Sequence, residues 1–229
     1  SKSKAASQSS CDVSIFGRNE RISDIDKKKA LDHRSVLQRY WNDDNNFVFS
    51  IFSDSKELTV TQKIGRVGKS LDLYCDFCLG LTPYDKYRGH SKAEIENRVF
   101  HSDKRKDKTF KKLLAGEDIR RYFVEWGGKE WISYGPWLGA PRESRFFTDP
   151  RIIVRQIVSG SPLRIYAGYT EEELYNSQIA FSLVLKSNLG LDLRFILGIL
   201  NSQIMNFFHK HKYLDQSKEL FQKILIQNA

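Results

Sequence analysis

Short runs of alternating apolar and polar residues fill the middle of the chain, and the spacing becomes helical near its end. Arg151-Ile152-Ile153-Val154-Arg155-Gln156-Ile157 predicts a β-branched strand, and Trp131–Tyr134, Leu163–Ala167 and Tyr175–Leu185 predict three more. Alternation from Leu71 to Leu79 predicts a further strand, ending at a Thr82-Pro83 loop. Short strands are also expected at Phe47–Phe52, Leu58–Thr61 and Ile64–Val67. A charged helical pattern covers Asp24–Tyr40, with Ile25, Ala30, Leu31, Val36, Leu37 and Tyr40 roughly on one face. A short helix is expected around Ala93–Val99 and a helical turn at Phe110–Leu114. Asp192 is placed to cap a helix with apolar residues at 193, 196, 197 and 200, and Gln203–His211 and Lys218–Ile226 predict further helical segments. Strands first and helices last predict an α+β fold, a mixed or antiparallel sheet platform with C-terminal helices. Residues 1–45 read as an N-terminal tail and helical connector, with residues 1–12 expected to be disordered, and 46–229 read as the main domain.

Charge changes the picture. The chain has 229 residues, 40% hydrophobic and 13% aromatic, with a formal net charge of +9 and a pI near 9.4. That balance points to a polyanionic partner, nucleic acid before membrane. Residues 82–121 hold 12 Lys/Arg against 7 Asp/Glu, and residues 142–164 hold 5 against 2, so these two stretches carry +8 of the +9. From 165 onward the signs balance, with 6 of each. No run of about 18 apolar residues exists, so no membrane span is expected. The polar start lacks the apolar core of a signal peptide, and three cysteines do not make a disulfide framework, so a reducing cytoplasm is expected. The chain opens without methionine and is expected to be a piece of something longer.

Candidate chemistry is sparse. Cys75 and Cys78 have no matching pair of ligands, and on a strand they face opposite sides, so they read as free thiols. His209 and His211 do not converge on a helix. Glycine-rich phosphate loops, a nucleophile elbow and the Asn-Pro-Pro-Tyr type of tetrapeptide are absent, and no acid/base pair stands out. No catalytic or metal-ligating residues are assigned. What remains is arginine and lysine interleaved with aromatics. Arginine's rigid fork clamps phosphates and reads guanine edges, and lysines in loops suit phosphate contact. Arg151 and Arg155 share one strand face with Ile153 and need a partner, either carboxylates within the fold or a ligand outside it.

Several short elements resemble a known family in their order. They are Gly80-Leu81-Thr82-Pro83-Tyr84-Asp85-Lys86-Tyr87-Arg88-Gly89, then Leu114-x-Gly116-x-Asp118-Ile119-x-Arg121-Tyr122. Trp131-Ile132-x-Tyr134-Gly135, Ala140-Pro141-Arg142, Arg151–Ile157 and Leu200-Asn201-Ser202 follow. From about residue 47 the chain is similar to the TaqI-like C-terminal specificity domain, the target recognition domain of adenine-specific DNA methyltransferases and type IIG restriction–modification enzymes. Two departures stand out. Arg88-Gly89-His90 replaces a Gly-x-Gly, and no Leu-Pro-x-Pro follows the last helix. The resemblance implies a non-catalytic module that reads double-stranded DNA for a methyltransferase domain of the same chain. It also implies S-adenosylmethionine in the parent protein, Mg2+ if a nuclease is attached, and no cofactor in this piece.

The expected DNA contacts are Lys86 and Arg88 in the Pro-Tyr loop, Lys104, Arg105 and Lys106 in the basic loop, and Arg120, Arg142 and Arg145 near the platform. Within the central motif, Leu114, Ile119 and Tyr122 are expected in the core and Gly116 in a turn. Asp118 is expected to orient or pair with an arginine, leaving Arg120 and then Arg121 for DNA. The alternative is a protein-interaction module docking a methyltransferase partner without DNA affinity of its own. Ion pairing of Arg142, Arg145, Arg151 and Arg155 together would favour it.

Overall fold

Among the described residues strands come first, and the part of the helix expected over Asp24–Tyr40 that falls on residues 24–29 lies outside them. The computed structural model describes residues 9–17, 21, 23, 30–42, 51, 53–157, 160, 164–187, 190–214 and 224. Ser10–Ile15 (β1) pairs antiparallel with Asp32–Leu37 (β2), from Ser10↔Leu37 to Ile15↔Asp32. Ser10–Asp12, expected to be disordered, therefore lie in a strand. In β2 the two-residue period wins over the helical one, because β1 supplies a ladder partner and Val36 turns into the core. Arg39–Asn42 (α1) follows. Ser55–Val67 (α2) replaces the two short strands expected there. Its start is set by Asp54, which accepts from the amides of Lys56 and Glu57 while Glu57 bonds back to the Asp54 amide. That capping box and the inward pair Leu58 and Thr61 outweigh the β-branched composition. Val36, Tyr40, Trp41 and Leu58 form the local core. These elements belong to a first unit, Ser1–Gly68, distinct from a second, Lys69–Ala229. The strand expected at 47–52 lies outside the described residues except for Ile51, which is not in a strand.

Among the described residues the second unit holds two sheets. Its elements are Cys75–Leu79 (β3), Lys92–Glu96 (α3), His101–Ser102 (β4), Phe110–Leu114 (β5), Tyr122–Phe123 (β6) and Glu130–Ser133 (β7). Arg145–Thr148 (α4), Arg151–Arg155 (β8), Ala167–Thr170 (β9), Tyr175–Asn176 (β10), Ala180–Leu185 (β11), Leu193–Leu200 (α5) and Gln203–Tyr213 (α6) complete it. One sheet has the order β3-β11-β8-β9-β6 and the other β10-β5-β7-β4. Both are mixed, since β6 runs parallel to β9 and β10 parallel to β5. The α+β class holds, with helices α5 and α6 closing the described chain. The expected helical segment at 218–226 lies outside the described residues apart from Ile224. Among the described residues no helix is long and apolar enough to cross a membrane.

Two expectations change in detail. Phe110–Leu114 is a strand, not a helical turn, because β7 pairs with it from Phe110↔Ser133 to Leu113↔Glu130. Tyr175–Leu185 is two strands, one in each sheet, separated by a turn at Ser177–Ile179. Asn176 holds that break. Its buried amide donates to the carbonyls of Ser177 and Ala180 and accepts from the Ser182 hydroxyl. Gly80 faces the same turn, where a Cβ would stand 2.0 Å from the Ser177 carbonyl oxygen.

Side-chain parity along β8 sorts the core. Ile152 and Val154 point to one face with Phe181, Leu183, Leu193, Ile196, Leu197 and Leu200, which is the helical stripe read from the sequence. Ile153 points to the other face, against Leu114, Ile119, Leu174 and Ala180. Arg151 lies on that side and is fully buried. Its partners are neither of those expected. The guanidinium donates to the backbone carbonyls of Asp149, Glu172 and Leu174, at 2.9, 3.0 and 2.7 Å. Burial lowers its pKa to about 10.

Arg151→Met is expected to lower unfolding stability by about 3 kcal/mol, because three buried carbonyls lose their donor. Arg151→Lys recovers only part of this, since an ammonium lacks the planar fork. Urea unfolding of the two variants checks both statements. A second expectation concerns acid. His209 is buried with no partner for Nε2 among the described residues, and burial pushes its pKa down from 6.5 to about 4. The unfolded chain therefore binds the proton first, and stability is lost as pH falls from about 6.5 to about 4, by up to about 3 kcal/mol. His209→Phe should make that part of a stability–pH profile shallower, the remainder coming from His101, whose pKa burial also lowers to about 4. An unchanged slope would remove His209 as its source.

Candidate nucleic-acid interface

The expected contact residues fall into three groups defined by what anchors them. The first hangs from Tyr84. Its hydroxyl accepts from the Phe100 amide at 3.0 Å and shares a hydrogen bond of 2.8 Å with Nδ1 of His101. Its ring stacks on both Phe100 and His101. Burial, then the Arg98 charge, pushes the His101 pKa down to about 4, which keeps the ring neutral near pH 7. His90 braces the same loop, accepting from the Asp85 amide through Nδ1 and donating from Nε2 to the Trp137 carbonyl. Asp85 then caps a single 3-10 turn, Lys86–Arg88, which ends at Gly89 with φ +96°. Lys86, Tyr87 and Arg88 stand exposed on this turn, and the Lys86 ammonium lies 4.7 Å over the Tyr87 ring.

His101 also begins β4, so the same aromatic cluster anchors the second basic segment, the loop between β4 and β5. Asp107 folds that loop. Its carboxylate accepts from the amide and hydroxyl of Thr109, which hold its pKa below the usual carboxylate range. Its carbonyl accepts from Arg105 Nε and the Phe110 amide. Ser102 accepts from the Lys104 amide. The backbone is thus pinned while Lys104, Arg105, Lys106 and Lys108 are exposed. No ion pair involves any of these four cations among the described residues. By contrast, Lys111 and Lys112, just inside β5, are paired with Glu173 and Glu172.

The second group is Arg142 and Arg145, which line one open pocket with Asp76, Phe77, Cys78, Pro141, Glu143 and Phe146. Arg142 has φ +65° and is exposed, and its carbonyl accepts from the Tyr134 hydroxyl. Arg145 is held at 3.0 Å by both Asp76 and Glu143 and lies 4.4 Å over Phe146. Its charge is compensated within the fold, unlike that of Arg142. The pocket also places the two thiols. Cys75 is in the helix-side core, where burial pushes its pKa up to about 11, while Cys78 lines the opposite, open side. The two sulfurs face away from each other, as strand parity requires.

The third group is the central motif. Leu114 and Ile119 are in the core, as expected. Asp118 is buried and orients backbone rather than an arginine. Its carboxylate accepts from the amides of Ala115 and Gly127, and its carbonyl from Glu125. Arg121 donates to the carbonyl of Asn201, at the C-terminal cap of α5, so it is a structural tie. Arg120 is exposed. Tyr122 is not core. It is 51% exposed at φ +80°, beside Phe123 at 48%. Apolar periodicity has no way to mark a residue whose backbone turns it outward. Sequence reasoning also left Arg155 unassigned. It is half-buried, 4.9 Å over the Tyr166 ring and beside Gly116, and no acidic partner is found among the described residues.

The pairing condition for a pure interaction module is not met: of Arg142, Arg145, Arg151 and Arg155, only Arg145 is ion-paired among the described residues. No curated protein matches the chain. A family model does, that of the TaqI-like C-terminal specificity domain, over residues 111–228. The match begins inside β5 and includes Arg120, Arg142 and Arg145, while the Pro-Tyr loop and the basic loop precede it. Its span holds the Asp118 hairpin, the buried Arg151 and the Asn201 cap, and it covers more than half of the 229 residues. The chain belongs to the TaqI-like C-terminal specificity domain family.

Proposed function

We propose that the second unit reads double-stranded DNA for an adenine-specific methyltransferase, in a restriction–modification protein of the type IIG kind. The observation that carries the reading is the pair of basic loops hung from Tyr84. Their backbones are pinned by Asp85, His90 and Asp107, and their cations are exposed and without ion pairs among the described residues. Cations presented this way give up little side-chain pairing when they meet phosphate, and release of DNA counterions then drives association. Lys86, Arg88, Lys104, Arg105 and Lys106 are assigned to phosphate. Arg120 and Arg142, two exposed arginines of the family span that the sequence places near the platform, are the assigned base readers. Arg145 positions this surface from its place between Asp76 and Glu143.

In this reading the methylation chemistry lies in a methyltransferase domain of the same cytoplasmic protein, which holds S-adenosylmethionine. Any nuclease domain holds Mg2+. Among the described residues no group of three His, Cys, Asp or Glu side chains is arranged to hold a metal ion. The first unit would then connect the module to what lies before it.

Binding of the whole chain to random duplex DNA across a salt series tests the reading. The logarithm of affinity should fall linearly with the logarithm of salt. Replacing Lys104, Arg105 and Lys106 together by alanine should make that slope shallower by about 0.9 for each phosphate left without its cation. Arg145→Ala should leave the slope as it is and cost about 1 kcal/mol of stability or less, since its ion pairs are partly exposed. Affinity that does not respond to salt would overturn the assignment.

A further inference from the structure

The proposed function uses the cations but leaves the exposed aromatics of the central hairpin unexplained. Ile119 bridges Val124, and the Arg120 amide donates to the Phe123 carbonyl at 3.0 Å, so residues 120–123 form a tight tip. At φ +80°, Tyr122 occupies a conformation that glycine adopts freely and a β-carbon resists. Neither Tyr122 nor Phe123 belongs to a core cluster, and about half of each is open to solvent. Among the described residues the strained tyrosine therefore gains no core packing that offsets its backbone conformation.

The tip is also rigid and cationic. Tyr122 and Phe123 pair with Gly168 and Tyr169 of β9, and a Cβ on Gly168 would fall 2.4 Å from the Phe123 carbonyl oxygen. The Arg121 guanidinium, tied to Asn201, lies 5.4 Å over the Tyr122 ring, and that of Arg120 lies 6.0 Å over Phe123. Two rings are thus held outward, each beside a guanidinium.

We infer that the Arg120–Phe123 tip is a stacking device for a nucleobase whose own stack is broken, with the Arg120 guanidinium held beside the ring that stacks. This rests on the reading of the second unit as a DNA module. An intact duplex offers base edges in its grooves and covers base faces with their neighbours. An aromatic ring finds an open π-face only where a base is unpaired or a step is opened. A flat ring with a flanking guanidinium matches that face and the charge beside it.

The test compares two short duplexes that are identical except that one carries a single bulged adenine, bound to the whole chain and followed by fluorescence anisotropy. The wild-type chain should prefer the bulged duplex by about tenfold. Tyr122→Gly should abolish that preference and raise the thermal midpoint by a few degrees, because backbone strain is relieved. Phe123→Ala should reduce the preference without raising the midpoint. Both variants should keep the affinity for the paired duplex and its salt slope. A wild-type chain that binds both duplexes equally, with a normal salt slope, overturns the stacking role and leaves the DNA reading standing. A preference that survives in both variants overturns it too. If the wild-type chain binds neither duplex, the DNA reading fails and the inference falls with it.

Discussion

One buried side chain holds the second unit's layers in register. Asn201, fully buried at the end of α5, pairs with the backbone of Ala167 through both its amide and carbonyl atoms, at 2.9 and 3.4 Å, and also donates to Leu197. Its own carbonyl receives the Arg121 guanidinium. A helix terminus, a strand and the central hairpin thus meet at one residue. Buried amides tolerate little displacement, since an unmade hydrogen bond costs about 1–3 kcal/mol. The geometry of the hairpin therefore depends on the packing of the helix face, although they lie on different elements.

The same arrangement recurs at the other polar positions inside the fold. Asp118, Arg151 and Asn176 are all buried, and all serve backbone groups: Asp118 two amides of its own loop, Arg151 three carbonyls, and Asn176 the turn where the chain passes from one sheet to the other. Loops satisfied from within can lie against the core without water. The loops that carry the exposed cations are pinned in the same manner, by Asp85, His90 and Asp107 bonding to backbone.

Much of this was legible in the sequence and some was not. The β8 strand, the α5 stripe and the Asp192 cap announce themselves by period and capping chemistry, which are local signals. The strand at Asp32–Leu37 and the strand at Phe110–Leu114 do not, because each exists through a partner distant in sequence. At α2 the capping box decided against the β-branched residues that suggested strands. Among the site residues, the exposure of Lys86, Arg88 and Lys104–Lys106 follows from composition alone. The ion pairs of Arg145 and the outward turn of Tyr122 do not, since one depends on Asp76, 69 residues away, and the other on a positive φ.

The pairing of β3 with β11 has a consequence for how the domain can be cut. β11 is flanked by β8 on one side and β3 on the other, in register from Phe181↔Leu79 to Leu185↔Cys75. β3 precedes the span that matches the family. A polypeptide trimmed to that span would leave β11, an apolar strand, with a bare edge of unpaired amides and carbonyls. Such an edge is a template for another copy of itself, so the homologous span is a unit of descent but not a unit of solubility.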